Sequence, residues 1–75
     1  MSTEEIVEDI LLTLLIYNVE NKGKWMEKNI LKVKIGEEEL LTALSFLKEK
    51  NYVEFKDEEH LRITDDGIHF ILERV

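Results

Sequence analysis

Five lysines, Lys22, Lys24, Lys28, Lys32 and Lys34, fall within thirteen residues whose one carboxylate is Glu27, a local +4 in a 75-residue chain of net charge −7. Ammonium groups gathered in this way neutralise phosphate or meet an acidic partner. Lys24, Lys28 and Lys32 are four residues apart, so a helix would align them along one stripe, with Lys22 and Lys34 at its ends. Trp25 lies beside them and reads as partial core ahead of a base-stacking platform. A solvated face that offsets acidic neighbours explains the same run equally well.

The acidic residues follow a different distribution. Between Glu37 and Glu59 there are eight carboxylates against three basic side chains. Catalytic chemistry finds little material. The chain has no Cys, so it lacks a thiolate nucleophile, a disulfide framework and a thiolate metal site. Neither His60 nor His69 has the neighbours of a triad, and the Gly residues form no phosphate loop. Asp57, Glu58, Glu59 and His60 are consecutive in a turn, a spacing that rarely converges on one metal ion. The sequence is therefore expected to be that of a non-enzyme without cofactor or metal.

The elements that must position these residues are legible from pattern. Ser2 with Glu5 three residues on is a capping box, and Ile6, Val7, Ile10, Leu11, Leu14, Leu15 and Tyr17 give the first helix an apolar face. Gly23 suits a left-handed end to it. A second helix is predicted over 25–34 with Met26, Ile30 and Val33 inward. Gly36 then precedes a third helix over 37–50 with Leu40, Ala43, Leu44 and Leu47 as its core stripe. Beyond Asn51 the period changes: 52–56 and 61–64 alternate as strands about a polar turn. Thr64 caps a closing helix with Ile68, Ile71, Leu72 and Val75 inward. Residues 1–75 are thus read as one α+β domain, mostly α, of three helices, a two-stranded hairpin and a short C-terminal helix.

Leu47-Lys48-Glu49-Lys50-Asn51-Tyr52-Val53 and Ile63-Thr64-Asp65-Asp66-Gly67-Ile68-His69-Phe70-Ile71 carry a resemblance over nearly the whole chain. They resemble the segments that leave the third helix and follow the wing in winged helix-turn-helix proteins of archaeal, phage and MarR-like type. Lys34 departs from that pattern, standing where the bend often carries Gly. The resemblance implies a dimeric, DNA-binding transcription regulator whose third helix enters the major groove. On that helix the arc away from the core presents Glu38, Thr42, Ser45 and Glu49, and the wing tip adds Asp57, Glu58 and Glu59. Carboxylates facing phosphates repel. Two readings stay open: binding of double-stranded DNA through Lys22, Lys24, Lys28, Lys32, Lys34, Thr42 and Ser45, or docking of a basic protein partner on the acidic helix and wing.

Leu12, Ile16 and Val19 form a second apolar stripe on the first helix, and Phe70 points away from the inward face of the last. Such a water-facing patch predicts a homodimer or a protein partner; cover by the wing or closing helix is the alternative. No apolar stretch approaches the length of a membrane span, and an acidic amino-terminal region is unlike a targeting peptide. The chain is expected to be soluble and cytoplasmic, with a Lys- and Glu-rich, Gln- and Cys-free composition that leans to a thermophilic source.

Overall fold

The structure is a computed structural model that describes residues 2–75. Four helices and a three-stranded antiparallel sheet follow the order α1 (Thr3–Glu20), β1 (Met26–Glu27), α2 (Asn29–Lys32), α3 (Glu37–Glu49), β2 (Val53–Asp57), β3 (His60–Ile63) and α4 (Asp65–Arg74). Among the described residues no helix is long and apolar enough to cross a membrane.

Helix α1 begins at Ser2, whose side-chain oxygen accepts the Glu5 N–H at 3.2 Å. That bond satisfies one of the amide donors left orphaned at a helix start. Ile6, Val7, Ile10, Leu11 and Leu14 are buried along its inner face. The helix ends through Lys22 and Gly23, both at positive φ (54° and 78°), and the Gly23 N–H reaches back to the Asn18 carbonyl at 2.9 Å. Helix α3 starts at Gly36 and buries Leu40, Ala43, Leu44 and Leu47, the residues its spacing predicts. Strands β2 and β3 pair Val53 with Ile63 and Phe55 with Leu61, then slip by one residue before Asp57 meets His60. Alternation places Val53, Leu61 and Ile63 in the core. Among the described residues the buried side chains are all apolar.

The segment after α1 departs from the helix predicted over 25–34. Met26 and Glu27 form β1 instead, opposite Leu61 and His60, so β3 becomes the middle strand of a sheet ordered β1-β3-β2. The expected hairpin is present, and a third strand joins it. Only a single turn, α2, remains helical. Its phase also differs from the expected one: Leu31 is fully buried, whereas Ile30 is exposed and Val33 is 88% exposed. Helical propensity here is overruled by pairing with a strand far along the chain, which buries Met26 completely.

The closing helix is tied to the turn between α3 and β2. The Thr64 hydroxyl oxygen accepts the Gly67 N–H at 3.1 Å, while its O–H donates to the Asn51 carbonyl at 2.6 Å. Thr64 N–H donates to the Tyr52 carbonyl at 3.0 Å. Asn51 itself has φ of 63°, a left-handed conformation that Asn tolerates better than most side chains. Gly67 lies against Tyr52 so closely that a Cβ would stand 2.2 Å from the Tyr52 oxygen. This contact sets the rotation of α4. Gly67 and Ile71 face the core, Ile68 is half-buried, and Leu72 and Val75, expected inward, face water.

Candidate interaction surfaces

Helix α3 and the β2–β3 hairpin carry the acidic surface. The buried stripe of α3 fixes the opposite arc, and Glu38, Thr42, Ser45 and Glu49 are all exposed on it. Glu37, Glu38 and Glu39 occupy the first turn, where the positive end of the macrodipole stabilises them locally. Thr42 turns its hydroxyl to the Glu38 carbonyl at 3.0 Å and borders a shallow pocket shared with Thr3 and Ile6 of α1. Ser45 lies on the other flank. Among the described residues, Glu37, Glu38, Glu39, Glu49, Glu58 and Glu59 belong to no ion pair.

The hairpin tip is held by Asp57. Its Oδ1 accepts the Glu59 N–H at 2.8 Å and stands 2.9 Å from the His60 Nδ1. The hydrogen bond from His60, followed by that from the Glu59 backbone, holds the Asp57 carboxyl below its ordinary value of 3.8. These consecutive polar residues therefore form a braced turn. Among the described residues no group of three or more His, Asp or Glu gathers as a metal site would require.

Between α3 and the hairpin runs a groove of about 460 Å³. Leu41, Leu44 and Phe55 supply apolar lining, Lys28, Ser45 and Lys48 line it too, and Asp57 and Glu58 close the hairpin side. The Lys48 ammonium lies 5.7 Å from the Phe55 ring centroid, a cation–π arrangement. Leu41, Lys48 and Phe55 were not singled out as site residues by sequence reasoning. Leu41 and Lys48 sit four and three residues from Ser45 on one side of α3, a spacing that points to a shared flank once the hairpin is known to lie there.

The lysines do not share a stripe, because no continuous helix spans them. Lys22 and Lys24 are exposed in the α1–β1 connection, Lys28 precedes α2, and Lys32 is in its last turn. The Lys28 N–H donates to the Glu59 carbonyl at 2.7 Å, which ties the start of α2 to the hairpin tip. Lys34 lies 3.6 Å from the Asp9 carboxylate and donates to the Thr13 hydroxyl at 3.4 Å. Of the five, Lys28 alone lines the groove beside α3. Trp25 is half-buried, and the Arg62 guanidinium covers its ring at 4.2 Å while also bonding Glu54 and the Gly23 carbonyl. That ring face is already occupied.

On α1, Ile16 is 58% and Val19 71% exposed, whereas Leu12 is half-buried against the core. Leu72 and Val75 add exposed apolar surface on α4, which packs on α1. Phe70 behaves differently from these. It is half-buried, stacked on Tyr52 at 4.5 Å between centroids, and covered by Arg74 at 4.7 Å. Phe70 and Tyr52, with Phe46 and Val7, line a second groove of about 320 Å³. Its charged lining is balanced, Lys50 and Arg74 against Glu4 and Glu8.

No protein-family model matches the chain, and neither the curated proteins nor the solved structures yielded a match.

Proposed function

We propose that this chain is a winged-helix interaction module whose acidic face docks a basic segment of a protein partner. Support for the winged helix comes from the order helix, strand, helix, helix, hairpin, helix, with the first strand added beside the last one of the hairpin. The observation that carries the docking reading is electrostatic. The two elements this architecture directs outward, α3 and the hairpin tip, carry six glutamates, Glu37, Glu38, Glu39, Glu49, Glu58 and Glu59, that no ion pair engages among the described residues. Phosphate binding needs the opposite sign. The lysines on which DNA contact was to rest are dispersed, and Lys34 is committed to Asp9.

A second reading, the dimeric DNA-binding regulator, is favoured by one observation: Lys28, Ser45 and Lys48 line the groove beside α3. A gel-shift titration with random duplex DNA at about 50 mM salt separates the two. The docking reading expects no complex. A complex whose salt dependence falls by about 0.9 log unit per lost phosphate contact in Lys28→Glu and Lys48→Glu would replace it with the second reading.

Either role is compatible with self-association through α1. Ile16 and Val19, with Leu12 beside them, form an apolar crest of the kind small monomers avoid. The module pairs with a second copy along this crest, aided by Leu72 and Val75; Phe70 contributes to its own groove instead. Sedimentation equilibrium at micromolar concentration is expected to give a dimer that Ile16→Glu plus Val19→Glu converts to monomer. A wild-type monomer removes this part of the proposal.

A further inference from the structure

We infer that the second copy packs antiparallel on the α1 crest, around a two-fold axis near Ile16, so that the acidic half of each α1 faces the lysine-bearing end of the other. The inference rests on the self-association reading and adds to it the orientation of the two copies. Leu12, Ile16 and Val19 lie on the side of α1 turned away from the buried Ile6, Val7, Ile10, Leu11 and Leu14. Ile16 stands within this row, and a two-fold there sets Val19 of each copy opposite Leu12 of the other. The Arg74–Glu8 contact brings the end of α4 beside the first half of α1, so the exposed Leu72 and Val75 lie toward the end that Val19 of the other copy approaches.

Charge decides between this arrangement and a parallel one. Glu4, Glu5, Glu8 and Asp9 crowd the first half of α1. Glu38 and Glu39 of α3 stand at the same end, around a pocket shared with Thr3 and Ile6. Of these carboxylates, among the described residues only Glu8 and Asp9 are offset, by Arg74 at 3.8 Å and Lys34 at 3.6 Å. Just past the other end of the helix, Lys22 and Lys24 are exposed and belong to no ion pair among the described residues, with Glu20 as their nearest carboxylate in sequence. A parallel pair would bring the two acidic ends together, and like charges so juxtaposed repel. The antiparallel pair sets each acidic end against the lysines of the other copy. Its register agrees with the apolar row, because Ile16 is equidistant in sequence from Glu8 and Lys24.

The chain has no Cys, so a nitroxide on Glu5→Cys reports the separation of the two copies with one substitution. Glu5 is exposed on the crest side of α1. With a rise of about 1.5 Å per residue and roughly 8–10 Å between helix axes, its two labels stand about 35 Å apart in the antiparallel dimer and within about 20 Å in a parallel one. Pulsed dipolar EPR, at a concentration where sedimentation shows the labelled protein to be dimeric, reads the difference. Lys22→Glu plus Lys24→Glu is expected to raise the dimer dissociation constant about tenfold at low ionic strength, and by less as salt is added. A dimer with the short label distance overturns the antiparallel arrangement and leaves the crest as an interface. A dimer with the long distance that is indifferent to lysine reversal and to salt overturns the charge pairing. A wild-type monomer overturns the self-association reading and this inference with it.

Discussion

Replacing Gly67 with Ala places a methyl group where the protein has a carbonyl. The added Cβ stands 2.2 Å from the Tyr52 oxygen, 3.1 Å from its carbonyl carbon and 2.8 Å from Ile63 Cγ1. Ile63 has some rotameric freedom, but the Tyr52 carbonyl has little. It accepts the Thr64 N–H at 3.0 Å, and the preceding Asn51 is pinned by the Thr64 hydroxyl at 2.6 Å. Relief therefore requires α4 to lift from the turn, which loosens the Thr64 cap and the fully buried Ile71. Overpacking costs about 1–3 kcal/mol and a weakened cap about 1 kcal/mol. Against this, Ala is favoured over Gly inside a helix by about 0.5–1 kcal/mol. The net expectation is a loss of about 1.5–3 kcal/mol, out of a total stability of order 5 kcal/mol for a chain this size. Thermal unfolding followed by circular dichroism should show a midpoint lower by about 10–20 °C, at about 4–8 °C per kcal/mol. Gly36→Ala is the comparison: its Cβ meets the exposed Glu39 carboxylate at 3.2 Å and no backbone, so it should cost less, about 0.5–1 kcal/mol, from the poorer N-cap alone. A Gly67→Ala protein as stable as the parent would mean that propensity governs α4 and that the close approach to Tyr52 does not exist.

Other substitutions probe neighbouring features. Asn51→Gly should hold or slightly raise stability and Asn51→Ala lower it by about 1 kcal/mol, read by urea denaturation, because the site has φ of 63°. Leu31→Ala should cost about 2–5 kcal/mol whereas Ile30→Ala costs far less, the reverse of what a helix over 25–34 with Ile30 inward predicts. For Asp57, whose folded pKa is depressed, the hairpin brace is complete above the ordinary value of 3.8 and is lost as pH falls through the lower folded value. The Glu59 amide should therefore stay protected from exchange through the ordinary carboxylate range and lose protection only as pH falls through the lower folded value, and Asp57→Ala should remove that protection at every pH.

What the sequence disclosed was local. The Ser2 cap, the α3 stripe from Leu40 to Leu47, the polar turn between two alternating segments and the Thr64 cap each depend on residues a few positions apart, and each is found where its pattern placed it. What it concealed was set by distant partners. Two residues, Met26 and Glu27, carry too short an alternation to announce a strand, and only the edge of β3 makes them one. The lysine stripe failed with the helix that was to display it. Leu72 and Val75 read as core because their spacing from Ile68 is helical, but the rotation of α4 is decided by Gly67 against Tyr52, a contact that periodicity cannot register. The outward placement of Glu38, Thr42, Ser45 and Glu49 followed from the opposite stripe alone. The groove beside them needed the hairpin's position, which is tertiary.

Strand β1 has a consequence for how the chain assembles. Its partners, Leu61 and His60, are separated from it by α2, α3 and β2, so its two rungs close a long loop and gain nothing until β2 and β3 have paired. The expected order of folding is that the hairpin zips first over its short turn and the segment carrying Trp25 and Met26 latches onto the exposed side of β3 last. Before that latch closes, β3 offers an unpaired strand edge, the state in which a neighbouring molecule competes for the same backbone groups. Substitutions that slow the latch, Met26 foremost, would show themselves as aggregation during refolding at concentrations where the finished protein stays dispersed.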